Sequence, residues 1–360
     1  MNNTKSTKSK DGNLEVGHEE ITHVCVAPNL YPLLQYILLM DDDIVFHHTY
    51  YFLNDSVPER MCNSLPCSVY KYVNKSFHDK IMKRANKIKL RFFKYHCFPF
   101  LKHAEIYAYD IPYVSLCIGN RPYKLLADAP NWMTLNVQKN SSAYKREQKH
   151  ARSFRGRLQR FIFGDLYVHY HGENKQCQTI YLTEENISPV LEGKKVYIKS
   201  LDSLWADASE VKKDFIRKGF NITNEDILLL QSRPNLFFSQ PLCKDCGMTE
   251  AEYVSVIQGI FQNYSEKDMI VKTHPRDTFN YKKYFPEVKI FAKPVNSQIL
   301  MVMGVHPKKI ITICSTAIEG FPEAIECDYY SANVHPKVLA FIGEEYKPSR
   351  KVNYKEINKN

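Results

Sequence analysis

Between Met269 and Asp277 the chain reads MIVKTHPRD, a β-branched apolar run whose end presents Lys272, His274, Pro275 and Arg276. Proline fixes its own φ and pushes the residue before it toward extended backbone, so His274 is locked where the strand stops, with its imidazole beyond the carboxyl edge. Open α/β sheets bind ligands at such edges. A histidine of ordinary pKa, about 6.5, can donate a proton to a departing phosphate or hold charge as an imidazolium. Further on, KKIITICSTAIEGF repeats the layout and places Ser315 and Thr316 where a helix should begin. Unpaired backbone N–H groups and two hydroxyls then face the same crevice, a second anion site. A simple N-cap explains the pair equally well, and both readings can hold together. The two units describe a phosphate site beside a titratable base.

Other candidate chemistry is weaker. Asp41-Asp42-Asp43 contains a D-x-D pattern of the kind that holds a nucleotide diphosphate through a divalent cation, but it lies between a helix and a strand, where solvated acids are ordinary. No metal is expected. Cys243-x-x-Cys246 lacks a second pair of matching spacing and reads as ordinary thiols. His306-Pro307 and His335-Pro336 read as strand-end histidines without catalytic support. Basic, aromatic stretches at 71–103 and 144–160 suit either a solvated helix face or an anionic lipid surface.

The elements that must position these residues alternate. THVCVAP at 22–28 reads as a strand, LYPLLQYILLM as the next helix, and IVFHHTYYFL at 44–53 as a second strand. AEIYAYD and YVSLCIG supply further strand candidates, followed by YKLLADAPNW; FIFGDLYVHYH is strand-like, and QTIYLT and KKVYIKSL complete an amino-terminal half. SEVKKDFIRKGF at 209–220 reads as a connecting helix. NLFFSQPL at 235–242 reads as a strand and CKDCGM as a loop. Thr249 and Glu252 form a capping-box signature, followed by one apolar face of Tyr253, Val256, Ile257, Ile260 and Phe261. MIVKTHP, VKIFAK, SQILMVMG, KKIITIC and a helix from Ser315 complete the pattern, which demands a parallel sheet. The expected fold is α/β and GT-B-like: two Rossmann-like domains with a cleft between them. A tail covers 1–20, an amino-terminal α/β domain 21–225, and a carboxyl-terminal α/β domain 226–360.

A chain of 360 residues with 44% hydrophobic and 13% aromatic content can fill two cores, which excludes wholesale disorder. A net charge of +10 favours an acidic partner without choosing among nucleotide, anionic glycolipid, membrane surface and nucleic acid. Recognisable nucleic-acid signatures are absent, so a basic nucleic-acid-binding protein is the rival from another class. Ten scattered cysteines fit reduced thiols in a cytosolic protein. The polar start, MNNTKSTKSKDGNLEVGHEE, lacks an apolar signal region, and the apolar run from Leu30 to Met40 is far short of the ~20 residues of a membrane span. The expected location is cytoplasmic, with room for peripheral contact at the inner face of a bacterial inner membrane. A homodimer is compatible.

FFSQPL, KDCG, IVKTHPRD and ICSTAIEGF, in that order and spacing, resemble the bacterial sialyltransferases of glycosyltransferase family 52. The likeness covers the carboxyl-terminal half well and the amino-terminal half in general layout. It implies a GT-B-like enzyme that transfers sialic acid from CMP-sialic acid to lipooligosaccharide termini, inverting the anomeric centre without a metal or other cofactor. It further implies that His274 serves the donor phosphate as acid and that Ser315 with Thr316 binds that phosphate; Lys272, Pro275 and Arg276 belong to the same motif. For the base that deprotonates the acceptor hydroxyl, Asp245 resembles the acidic loop residue that precedes the family's HP motif. Asp128, in LLADAPNW, lies where related sialyltransferases carry two acidic residues and a glycine. Here Ala127, Ala129 and Pro130 break that pattern, so Asp245 ranks first. The nearest alternative is a transferase of the same fold using another nucleotide sugar.

Overall fold

Strands with both faces apolar pair in parallel, and in this computed structural model they build two sheets. The structure describes residues 20–54, 57–65, 69–72, 89–109, 117–128, 145, 149–163, 172–186, 188–295, 297–322, 324–343, 348 and 350–357. The expected amino-terminal tail therefore lies outside the described residues, save for Glu20. The chain divides into two compact units between Ile198 and Lys199.

The first unit contains β1 (His23–Ala27), β2 (Thr49–Asn54), β3 (Val69–Tyr72), β4 (Glu105–Ala108), β5 (Tyr123–Leu126), β6 (Cys177–Leu182) and β7 (Lys195–Ile198). They lie in the order β3-β2-β1-β4-β5-β6-β7. The second contains β8 (Asn235–Phe238), β9 (Met269–Lys272), β10 (Lys289–Phe291), β11 (Lys309–Thr312), β12 (Glu326–Tyr329) and β13 (Asn353–Tyr354), ordered β10-β9-β8-β11-β12-β13. Every recorded pairing is parallel. In each sheet the chain winds outward from a central strand and then reverses, which leaves a topological switch point: between β1 and β4, and between β8 and β11.

The second sheet is fixed by burial on both faces, as parallel sheets require. Met269 through Lys272 are all buried. On one face the helix Glu250–Phe261 lays Tyr253, Val256, Ile257, Ile260 and Phe261 into a core with Phe237, Met269, Val271 and Ile311. Each such side chain stabilises the fold by ~1.5–3 kcal/mol on full burial. The helix starts where the sequence reading placed it, with both capping-box bonds between Thr249 and Glu252 formed.

Several sequence readings are corrected. The boundary falls after Ile198 instead of at 225, because the helix Leu201–Asp207 packs on the helix Ser297–Val302, and Asn224–Gln231 packs on β10. The helix Glu210–Phe220 therefore belongs to the second unit. The strand expected at 44–53 begins only at Thr49, since Ile44–His48 forms a π-helical turn. Cys117 and Ile118 of YVSLCIG are helical, and the start of FIFGDLYVHYH ends the helix Phe154–Phe163. The CKDCGM loop opens on a short helix, Leu242–Asp245. Among the described residues no helix is long and apolar enough to cross a membrane.

Candidate active site

The ends of β9, β8 and β11 lie side by side, with Lys272 opposite Phe238 and Phe238 opposite Thr312. The last residues of β8 join the two chemical motifs. Ser239 N–H donates to the Lys272 carbonyl (3.1 Å), and Ser239 Oγ accepts from His274 N–H (3.0 Å). On the other side the Phe238 carbonyl accepts from Thr312 Oγ1 (3.2 Å), which itself accepts from Ser315 N–H (3.1 Å). The histidine turn and the serine turn are thus hydrogen-bonded to one dipeptide. Two strand spacings of ~4.8 Å put the axes of β9 and β11 about 10 Å apart, the scale of a nucleotide phosphate with its sugar.

His274 is half-buried, while Pro275 and Arg276 are exposed. Arg276 N–H donates to His274 Nδ1 (3.1 Å). An amide can only donate, so Nδ1 is the acceptor and the proton of the neutral ring sits on Nε2. Burial, and then the Arg276 guanidinium, hold the imidazole below its ordinary value, with Asp245 pulling the other way. Burial and the guanidinium both favour the neutral imidazole, which has one N–H donor, at Nε2.

Asp245 is brought into the same loop cluster. Its Oδ1 accepts from the Arg276 guanidinium (2.7 Å), and its side chain is only 17% exposed. Lys272, expected to stand at the edge, is buried instead. Its Nζ donates to the Thr273 carbonyl (3.0 Å) and lies 5.7 Å from the centre of the Phe291 ring. Burial lowers its pKa to about 8.

The helix expected from Ser315 is a single 3₁₀ turn, Thr316–Gly320. Ser315 is buried, and its Oγ accepts from Ala317 N–H (3.2 Å), so the N-cap reading holds in this structure. A segment this short carries little helix macrodipole. Arg350 pins the chain that follows: its guanidinium donates to the carbonyls of Ile318, Phe321, Pro322 and Ile325.

Asp128 belongs to the first unit, just past β5, and its Oδ1 accepts from Asn29 Nδ2. Asn29 in turn caps the helix Leu30–Leu39 through Tyr31 N–H. Asp43 pairs with His48 (3.1 Å), and among the described residues no cluster of three or more His, Cys, Asp or Glu could hold a metal ion. Burial raises the Cys243 and Cys246 thiols, which favours the protonated form over thiolate ligands.

The sequence reading missed a polar chain behind His274. Ser239 Oγ donates to Asp277 Oδ2 (2.5 Å), which also accepts from the Tyr281 hydroxyl (2.9 Å). Tyr281 meets Tyr253 hydroxyl to hydroxyl at 2.6 Å. The visible signal was a serine closing FFS and an aspartate closing THPRD, both at strand ends.

Two doubly wound α/β units with side-chain chemistry at a switch point define the class of nucleotide-sugar folds called GT-B. A profile of glycosyltransferase family 52 matches residues 39–337, and the chain belongs to that family. An uncharacterized protein of Haemophilus influenzae is 32% identical over 203 residues, a match that spans 56% of this chain and 65% of that relative. Solved structures share the fold at low identity. The α/β-galactoside α-2,3-sialyltransferase of Photobacterium phosphoreum superposes with a TM-score of 0.51 at 12% identity, covering 93% of this chain and 99% of that one. The GT-B domain of a Photobacterium damselae sialyltransferase gives 0.53 at 13% identity, covering 89% and 96%. A 2,6-sialyltransferase from a Photobacterium species, solved with CMP and lactose, gives 0.54 at 11% identity, covering 92% and 78%.

Proposed function

We propose that the chain is an inverting sialyltransferase that moves sialic acid from CMP-sialic acid to a terminal sugar on a lipooligosaccharide or capsular glycan, with no metal required. The observation that carries this reading is His274, fixed as the Nε2–H tautomer beside the end of β8, with the Ser315 turn bonded to the same dipeptide. The likeness of the fold to a sialyltransferase solved with CMP and lactose supports the choice of donor and acceptor classes.

In the proposed reaction the bond between the anomeric carbon and the phosphate oxygen breaks, and the acceptor oxygen bonds to that carbon from the opposite face. His274 Nε2–H stabilises the departing phosphate oxygen, and the Ser315–Thr316 turn holds the same group. The acceptor hydroxyl gives its proton to Asp245, with Asp128 as the second choice. An arriving phosphate competes for the Arg276 guanidinium and frees Asp245 to act. Lys272 contributes positive potential from beneath the edge. A lipid-borne acceptor implies work at an anionic membrane surface. The helix Phe154–Phe163 supports that setting, since it exposes Phe154, Leu158 and Phe161 among Arg155 and Arg157.

CMP release from CMP-sialic acid, measured with a panel of galactose-terminated acceptors, tests the function. Acceptor-dependent release is expected. Binding of UDP in preference to CMP, with no release, would transfer the assignment to another nucleotide sugar.

A further inference from the structure

His274 stands on a turn whose next two residues are exposed, so something other than burial must hold it still. Three hydrogen bonds close a ring around it, and a fourth anchors the ring. Asp277 N–H donates to the His274 carbonyl (2.8 Å), which makes 274–277 a tight turn. The Asp277 carboxylate folds back to accept from Ser239 Oγ (2.5 Å), and the same Oγ accepts from His274 N–H (3.0 Å). Ser239 N–H then ties the ring to β9 through the Lys272 carbonyl (3.1 Å). The Asp277 bond is charge-assisted, and a hydroxyl polarised by a carboxylate becomes a better acceptor at its oxygen.

Behind the ring the polar chain runs into the core. Tyr281 donates to Asp277 and lies 2.6 Å, oxygen to oxygen, from the Tyr253 hydroxyl, which also reaches the Gln240 carbonyl (3.1 Å). Both tyrosines are almost wholly buried, at 2% and 0% exposure. Phenylalanine would fill that space equally well without burying hydroxyls, and hydroxyls that must be satisfied are costly unless they serve a connection. Asp277 Oδ1 is also occupied, by Phe279 N–H (3.1 Å), so each of its oxygens has a partner within its own loop.

We propose that Asp277 is a positioning residue for His274: acting through Ser239 Oγ, it fixes the backbone from which the imidazole projects. The transfer role of the imidazole rests on the function proposed above; the positioning itself does not. A shift of about 1 Å in a reacting group can cost on the order of a hundredfold in rate, so the clamp matters to turnover without touching substrate.

The test uses the full chain with Ser239→Ala, Asp277→Asn, the double variant and Tyr281→Phe. Amide exchange at His274 and the NMR titration of its imidazole are followed without donor, beside kcat, KM for CMP-sialic acid and Tm. Exchange at His274 should quicken at least about tenfold in both single variants. Turnover should fall about tenfold to a hundredfold with KM little changed, and the double variant should be no worse than the worse single, because both cut one chain. Tyr281→Phe keeps its ring and should move the same readouts less, which preserves the test if Asp277→Asn does not fold. Lower Tm with unaltered His274 exchange and titration would overturn the proposal, as would losses that multiply in the double variant. A wild-type protein inert toward CMP-sialic acid would refute the donor assignment, while exchange and titration would still decide the clamp.

Discussion

Replacing His274 separates two ways in which the ring could help a phosphate leave. Nε2 carries the proton because Arg276 N–H occupies Nδ1 at 3.1 Å. Loss of a positioned proton donor costs ~10²–10⁴-fold in rate, or about 3–5 kcal/mol at 1.36 kcal/mol per tenfold. His274→Ala should therefore lose at least about a hundredfold in kcat. The half-buried ring makes that one side-chain hydrogen bond among the described contacts, so the fold should lose only about 1 kcal/mol. His274→Gln places an amide N–H near the Nε2 position and should recover part of kcat if a neutral donor suffices. The pH profile carries the sign. Burial depresses the imidazole pKa, so the neutral form fills as pH rises through a value below about 6.5. The depressed pKa also contributes stability that is present above about 6.5 and is lost as pH falls toward the folded value. A neutral donor gives kcat/KM that climbs with pH in that window, and His274→Gln flattens the climb. Initial-rate assays of CMP release across pH, paired with thermal unfolding of each variant, measure all of this. Alanine within threefold of wild-type turnover would refute the reasoning.

Three further outcomes follow from the same contacts. Lys272 is buried, and burial lowers its pKa to about 8. Because the unfolded chain holds that proton up to about 10.5, stability should rise as pH climbs from about 8 to 10.5; Lys272→Met should remove this slope and raise stability at pH 7 by up to ~3 kcal/mol, while weakening CMP binding in calorimetry. Ser315→Ala removes the acceptor for Ala317 N–H and should cost ~1 kcal/mol in denaturant unfolding and raise KM for the donor more than it lowers kcat. Asp245→Asn should lower kcat far more than Asp128→Asn does, and equal losses in a side-by-side assay would reverse their order.

Local sequence determined most of the second unit. The capping box at Thr249 and the apolar face from Tyr253 to Phe261 needed no tertiary information, because helical period and cap chemistry are short-range. The same holds for β8, β9 and β11, whose apolar runs specify strands buried on both sides. Short-range signals failed where packing decides: Ile44–His48 is β-branched and aromatic yet coils into a π-turn, and 209–220 looks like a linker yet packs within the second unit.

The residues that could do chemistry were legible by type and spacing; what they touch was not. His274-Pro275 and Ser315 announce strand ends, but only the strand order seats β8 between them and makes Phe238 and Ser239 their shared partner. Sequence could name Asp245 as a base, whereas its pairing with Arg276 depends on how two loops meet. Lys272 shows the limit most plainly. A lysine at a strand end reads as exposed, but Lys272 is buried, with its Nζ turned onto the Thr273 carbonyl and beside the Phe291 ring of the neighbouring β10. Backbone preference acts over a few residues and is written in the chain, whereas side-chain partnership across strands depends on the sheet order that folding assembles.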